Sequence, residues 1–351
     1  MNYMPRSLWL RALLGIPLLA AVAGLLWWRG PDWNVVYHAF DLVNWAWVAF
    51  ALGLNLVSVF LRSLAWKLTI DQALDPPEPR FSQVFSAFSV GLLGNAVLPG
   101  RIGELARVAV LRRHLPRGVG ASGTLVGTVF AHRLFDLPAA LLLILYVALT
   151  AKVPHWAVTS LVIVSIIGAV LFTVALVTAR RHHRPLDGAR SLRQLLSMAR
   201  QGLAVLRSPW PALGAIVLQC AGWFMQLLAV YVAMRAFDLH PSMAAAGLVL
   251  LLMNVATIFP LWPGNIGLLQ AAVALPLVQY GVPYSVGFAY ALVLQVIEMS
   301  VGVGVGLIFL AREGLSFASL RDMPEEGEAP TDEEGETHPP ERRRARARVP
   351  G

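Results

Sequence analysis

A charged break inside an apolar segment constrains this chain more than any other sequence feature. Residues 94–113 read GNAVLPGRIGELARVAVLRR, in which Pro99 and Gly100 are followed by Arg101, Glu104 and Arg107 at intervals of three. A Pro-Gly pair breaks a helix, whereas charges at three-residue intervals share one helix face. Within a membrane, irregular backbone and charge are tolerated where protein or a wet cavity encloses them. The segment therefore predicts a binding site.

The composition places the chain in a membrane. Hydrophobic residues make up 57% of it and charged residues 14%, and the mean hydropathy is +0.64, which indicates a polytopic membrane protein and not a soluble domain. The net charge of +8 does not indicate nucleic acid binding, because the arginines flank apolar segments and collect in one loop and the tail. The single cysteine, Cys220, excludes an internal disulfide and a thiolate metal cluster. We expect no metal and no cofactor.

Apolar runs define the predicted architecture. Runs close to the spanning length of about 20 residues cover residues 12–28, 44–66, 120–149, 156–177, 210–236 and 283–310. The first of these could also be a signal peptide, but it ends in LLWWR and has no small-residue cleavage site. Shorter halves at 81–98 and 101–110, and at 243–260 and 266–280, flank Pro-Gly breaks and predict two re-entrant helical hairpins. The predicted fold is an all-α polytopic membrane protein with about six spanning helices plus these hairpins.

The two broken segments resemble each other. Residues 99–105 and 263–269 share Pro, Gly, Ile, Gly and Leu in register, and each segment precedes a long apolar run with a buried charge, Arg133 or Glu298. The loop 179–208 holds seven arginines against one acid, which predicts that this loop and both termini are cytoplasmic. The hairpins then enter from opposite faces as inverted repeats. The loop itself is either an interfacial amphipathic helix or a solvated basic linker.

The run 120–149 carries charge near its middle. Arg133 lies roughly 18 Å along this predicted helix, close to the bilayer centre. Asp136 is four residues after His132 and three after Arg133, so its carboxylate can reach either side chain on one helix face. Two interpretations stay open for these charges, and equally for Arg101 with Glu104: a neutralised pair that packs helices, or a ligand site.

The last residues differ in character from the rest. Residues 322–341 are acidic with several prolines and glycines, and residues 342–348 are basic. Such a polyampholyte is typical of a disordered segment. The sequence therefore predicts an integral membrane domain over residues 1–315 and a disordered, charged cytoplasmic tail over residues 316–351.

Three ordered motifs point to a family. The run from Asn95 to Arg107, N-x-x-L-P-G-R-x-G-E-x-x-R, resembles the signature of the flippase-like transmembrane domain of bacterial lysylphosphatidylglycerol synthases, a family that includes stand-alone membrane proteins. Arg133 with Asp136 is similar to its second motif, and the run from Pro260 to Gly267, P-x-x-P-G-x-x-G, to its third. The resemblance extends from about residue 10 to residue 315.

Two positions depart from the family pattern. His132 stands where an acid usually precedes the motif arginine, and Gln270 stands where an acid usually follows the third motif. Both changes lower the negative charge of the site. They weaken the case for a cationic headgroup or a coupled proton.

The resemblance implies a lipid site between the hairpins. The chain would bind a membrane phospholipid or lipid-linked molecule and move it between leaflets of a bacterial inner membrane. No acyltransferase-like domain follows residue 315, so we expect no enzyme activity. The alternatives are a non-catalytic membrane subunit that works with envelope-biosynthesis enzymes, a membrane-embedded lipid enzyme, and an ion or solute transporter. The expected site residues are Asn95, Pro99, Gly100, Arg101, Gly103, Glu104, Arg107, His132, Arg133, Asp136, Pro263, Gly264, Asn265, Gly267, Gln270 and Glu298.

Overall fold

The fold is seen in a computed structural model that describes residues 30–97, 102–115, 121–151, 208–258 and 265–316, together with the helical residues Gly24, Ile166 and Val170. Regular secondary structure in these ranges is helical throughout, which confirms the all-α prediction. Apart from those three residues, the predicted spans 12–28 and 156–177 lie outside the described residues. So do the loop up to residue 207, the tail beyond residue 316, Pro99 to Arg101, and Pro263 with Gly264.

The described residues form nine helices. They are α1 (Trp33–Asp41), α2 (Trp45–Asp71), α3 (Phe81–Val97), α4 (Gly103–Arg112), α5 (Ala121–Thr150), α6 (Pro209–Ala236), α7 (Met243–Ile258), α8 (Leu268–Val278) and α9 (Tyr284–Arg312). Helices α2, α5, α6 and α9 are long and apolar enough to cross a membrane, and they coincide with four of the predicted spans. Helices α3, α4, α7 and α8 are shorter and form the two predicted helical pairs.

Local sequence explains where several helices begin. The Asn44 side chain accepts a hydrogen bond from the Ala46 amide at 3.1 Å and caps α2. Asp32 caps α1 by accepting from the Asn34 amide at 2.9 Å. Helix α6 has Pro209 at its first position, where a missing N–H costs nothing. Asp32 and Asn44 thus fix helix starts between apolar stretches.

Helices α2 and α6 run antiparallel and form the centre of the bundle. At one end the Asn44 amide donates to the Ala236 carbonyl oxygen at 2.8 Å. In the middle the Ser58 hydroxyl donates to the Gly222 carbonyl oxygen at 2.7 Å. A Cβ atom on Gly222 would lie 2.9 Å from the Arg62 side chain, so the missing side chain allows the close approach.

Helices α3 and α4 fold back on each other through glycines. A Cβ atom on Gly94 would lie 2.8 Å from the Cα of Gly103, and one on Gly91 would lie 2.9 Å from the Gly103 carbonyl oxygen. A Cβ atom on Gly103 would overlap the Gly91 carbonyl oxygen. The pair is thus a tight antiparallel hairpin. Its re-entry from one membrane face stays a prediction.

The far end of α9 packs on this hairpin. Residues Ser300–Val305 are π-helical and begin just after Glu298. One turn further, a Cβ atom on Gly306 would lie 2.8 Å from the Ser89 carbonyl oxygen of α3. Small residues again allow backbones to meet, as is typical of membrane helices. Helix α9 therefore contacts the second helical pair near its beginning and the first helical pair near its end.

A buried tyrosine ties α9 to α6. The Tyr290 side chain is fully buried, and its hydroxyl donates to the Val230 carbonyl oxygen at 2.9 Å. We expect Tyr290→Phe to lower the free energy of unfolding by about 0.5–1.5 kcal/mol, because one buried hydrogen bond is lost. SDS titration of the purified protein in mixed micelles measures this. Tyr37→Phe, at a tyrosine that is 70% exposed, is the control and should change nothing. Equal effects of the two variants would contradict the assignment.

Candidate functional site

The charged segment of α4 meets the charged segment of α5. Glu104 lies between two arginines: its Oε2 is 2.6 Å from Arg107 Nη2, and its Oε1 accepts from Arg133 Nη2. The first contact is an ion pair without hydrogen-bond alignment, since neither of its atoms has a hydrogen-bond partner. Arg107 is only 3% exposed and lies over the Trp66 ring at 4.7 Å and the Phe88 ring at 5.6 Å. Aromatic faces thus stabilise a guanidinium that has little access to water.

Asp136 joins this arrangement from the next turn of α5. Its Oδ2 accepts from Arg133 Nη1 at 3.4 Å, which confirms that residues three apart on this helix meet. Its Oδ1 accepts from the Trp223 indole Nε1 at 2.8 Å and from the Gln219 side-chain amide, both on α6. The carboxylate is therefore held by three donors from two helices.

A second polar chain extends the site to α9. Arg62 Nη2 of α2 donates to Gln226 Oε1 at 3.0 Å, and Gln226 Nε2 donates to Glu298 Oε1 at 3.1 Å. The Arg62 guanidinium lies over the Trp223 ring at 5.2 Å and interacts electrostatically with both Asp136 and Glu298. Arg62 and Trp223 therefore connect Glu298 to the charges of α4 and α5. We call Arg62, Glu104, Arg107, Arg133, Asp136 and Glu298 the charged cluster.

The charged cluster is balanced and has one open side. It contains three guanidinium groups and three carboxyl groups among the described residues. Within it, the side chains of Glu104 and Asp136 are 19% and 15% exposed, whereas that of Arg133 is 46% exposed. A molecule that approaches the cluster therefore meets Arg133 first. Enclosed charges of this kind in a membrane protein are functional candidates by default.

His132 and Asn95 lie beside the charged cluster without joining it. The His132 ring is 2% exposed and packs edge-on against Phe88 at 5.8 Å between centroids, and its Nδ1 has no hydrogen-bond partner. The sequence allows Asp136 to reach either His132 or Arg133, and in the structure its carboxylate accepts from Arg133, Gln219 and Trp223. The Asn95 side-chain oxygen lies next to Gly103, where a Cβ atom would be 2.7 Å from it, and is buried without a hydrogen-bond partner.

Residues of the second helical pair form contacts of their own. Asn265 is 5% exposed, adopts a positive φ of 45°, and donates from its amide to the Ala256 carbonyl oxygen at 2.9 Å. Gln270 accepts from the Gly267 amide at 2.6 Å and donates to Gln295 of α9. Gln295 is one turn before Glu298, so the second pair approaches the charged cluster through α9.

The structure adds residues that the sequence analysis did not single out. They are Arg62 on α2, Gln219, Trp223 and Gln226 on α6, and Gln295 on α9. A signal for them existed, because an arginine and glutamines inside apolar runs are costly in a membrane. Gln219, Trp223 and Gln226 also recur at intervals of four and three, which places them on one helix face. Pro99, Gly100, Arg101, Pro263 and Gly264 lie outside the described residues.

Comparison with known proteins identifies relatives along nearly the whole chain. Residues 9–306 match the family described as Lysylphosphatidylglycerol synthase TM region. A "UPF0104 membrane protein" of Methanothermobacter thermautotrophicus is 24% identical over 318 residues, which cover 82% of this chain and 89% of the relative. "UPF0104 membrane protein MJ1078" of Methanocaldococcus jannaschii is 25% identical over 212 residues, or 58% of this chain and 87% of the relative. No solved structure matches the chain.

Proposed function

Because this chain belongs to the family of lysylphosphatidylglycerol synthase transmembrane regions, and is thus a multi-pass membrane protein, we propose that it moves a lipid or lipid-linked molecule between leaflets. The charged cluster binds the polar headgroup. The acyl chains stay at the depth of the hydrocarbon layer. Each re-entrant hairpin, α3 with α4 and α7 with α8, gives access from one face of the membrane, as inverted repeats do in transporters.

The charged cluster carries this proposal. Helix packing alone does not require six ionisable groups, because burying a charge costs several kcal/mol per ion and apolar residues of similar volume often serve equally well. Arg133 and Asp136 also leave part of their side chains accessible while they contact α4 and α6. A site built from opposite charges that can exchange partners is suited to bind a polar headgroup and then release it.

An anionic headgroup fits the surplus of positive charge. The described cluster is balanced; in our proposal Arg101, two residues before the first residue of α4 in sequence, contributes one further positive charge. Helix α4 begins at Gly103 without a side-chain cap, and the amides at a helix N-terminus are suited to bind a phosphate. In our proposal a phosphate engages these amides and the two guanidinium groups of Arg101 and Arg133, which can each donate paired N–H groups.

Lipid movement in liposomes tests the proposal. Purified protein is reconstituted with fluorescent phosphatidylglycerol or phosphatidylcholine, and the transbilayer rate is measured with and without an ion gradient. We expect Arg133→Gln to reduce the rate about tenfold or more, since a charge-assisted hydrogen bond contributes about 1.5–3 kcal/mol. Arg101→Ala should reduce the rate for the anionic lipid more than for the zwitterionic one.

Asp41→Asn is the matched control. It also removes the charge of a carboxylate that contacts a neighbouring side chain, but Asp41 and its neighbour His38 are both exposed on α1. It should leave the rate unchanged, and all variants must show wild-type thermal unfolding. If the folded wild type moves neither lipid under any gradient, the proposal of translocation fails. A stoichiometric partner in the purified material would then favour a non-catalytic subunit of a lipid or envelope-glycan synthesis system.

A further inference from the structure

An apolar groove lies between α5 and α6 where α7 begins. Its volume is about 400 Å³, within the range of ligand sites, which is about 300–1,000 Å³. Its walls include Leu143 and Tyr146 of α5, Cys220 and Phe224 of α6, and Met243 of α7. None of the described side chains that line it is charged. Whatever occupies this groove is therefore apolar over the part that enters it.

The groove begins at the charged cluster. Trp223 lines the groove and donates its indole N–H to Asp136 of the cluster at 2.8 Å. On α5, Asp136, Ala139 and Leu143 follow at intervals of three and four, so the carboxylate and the groove wall share one helix face. A ligand can therefore contact both regions only if it is polar at one end and apolar along its length.

The dimensions of the groove fit a hydrocarbon chain. From Asp136 to Tyr146 the α5 axis rises about 15 Å, half of the hydrocarbon thickness of about 30 Å. At the rim, Leu142 and Phe224 are 61% and 52% exposed, so the groove continues into the lipid-facing surface.

We propose that this groove binds one acyl chain of the lipid whose headgroup contacts Arg133 and Asp136, with Trp223 separating the two parts of the site. The inference rests on the proposed function, because it adds the position of an acyl chain to the headgroup site of that proposal. In this arrangement the chain is held in the groove while the headgroup crosses the charged cluster.

Photo-crosslinking tests the occupant directly. Protein in nanodiscs receives phosphatidylglycerol with a diazirine in mid acyl chain, and the labelled residues are mapped by mass spectrometry. Leu142 and Phe224 at the rim should be labelled several-fold more than Leu145 and Val217, which lie on the same helices, are 55% and 57% exposed, and do not line the groove. Equal labelling of the two pairs would overturn the proposal.

The single cysteine provides a specific block. Hexyl methanethiosulfonate converts the Cys220 thiol to a mixed disulfide, releasing methanesulfinate, and so places a six-carbon chain in the groove. We expect the preferential labelling to disappear and to return after reduction by dithiothreitol. Cys220→Ala, treated identically, should keep it. Labelling that persists in the blocked protein would overturn the proposal. A disulfide between the Cys220 residues of two copies of the chain would also overturn it, because a second copy would then cover the groove.

The two proposals fail in different ways. If wild type moves lipid but blocking Cys220 alters neither labelling nor rate, the acyl groove is wrong and translocation stands. If labelling follows the predicted pattern while no lipid moves, the groove is a lipid site and translocation is wrong.

Discussion

Replacing Glu104 with glutamine is expected to destabilise the protein by about 3–5 kcal/mol, the usual cost of removing one partner from a buried ion pair. Glu104 is shared by Arg107 and Arg133, and Arg107 is almost fully buried. The neutral amide leaves the Arg107 guanidinium buried without a countercharge. SDS titration in mixed micelles measures the loss in the free energy of unfolding, and Glu78→Gln, in a more exposed ion pair with Lys67, is the control.

A double variant separates structure from function at the same position. Glu104→Leu combined with Arg107→Met removes both charges, and apolar replacement of a buried pair is often neutral or stabilising. Arg133 keeps its contact with Asp136 in this variant. We expect the double variant to regain most of the stability but none of the lipid movement. Recovery of both would show that Glu104 and Arg107 serve only to close the helical hairpin.

Replacing Gly103 with alanine should be the most damaging single methyl addition in the described part of the chain. The new Cβ atom would overlap the Gly91 carbonyl oxygen and lie 2.6 Å from the Asn95 backbone nitrogen. Both are backbone atoms, so α3 and α4 must separate. We expect a loss of about 1–3 kcal/mol or more, the cost of overpacking, together with loss of lipid movement because Glu104 moves with α4.

Gly53→Ala is the matched control for this steric argument. Gly53 lies within α2, and a Cβ atom there would meet nothing within 4 Å. Alanine is favoured over glycine in a helix by about 1 kcal/mol, so this variant should be as stable as wild type or more stable. A comparable loss of stability in Gly53→Ala would contradict the steric argument. It would show that the effect of Gly103→Ala does not depend on the tight contact between α3 and α4.

The helices could be predicted closely because their signals are local. The apolar run predicted at 210–236 corresponds to α6, Pro209–Ala236, and the run at 44–66 to the first part of α2, Trp45–Asp71. Run length, caps and Pro-Gly breaks depend on neighbouring residues alone. The predicted run stops at residue 66, too early for α2, because Lys67 and Asp71 end the apolar sequence; in the structure these two side chains pair at 2.5 Å on the last turns of the helix.

The candidate site could be predicted only in part. The charges of α4 and α5 were conspicuous as interruptions of apolar sequence, and their pairing at three-residue intervals is confirmed within each helix. The contributions of α2 and α6 were missed. Arg62 and Gln226 are 164 positions apart in sequence and form a hydrogen bond between two helices. No local pattern indicates which face of one helix meets the other.

Sequence alone determined that this chain is an all-helical membrane protein with broken segments and buried charges, since hydrophobic run length and helix-breaking residues act over one or two turns. Tertiary structure decided the partners. Glu104 bonds Arg133, 29 residues away on another helix, Asp136 turns to α6 and not to His132, and Asn265 is occupied by a backbone carbonyl. Distance and rotation between packed helices set those contacts, and both depend on every glycine and aromatic side chain in the interfaces at once.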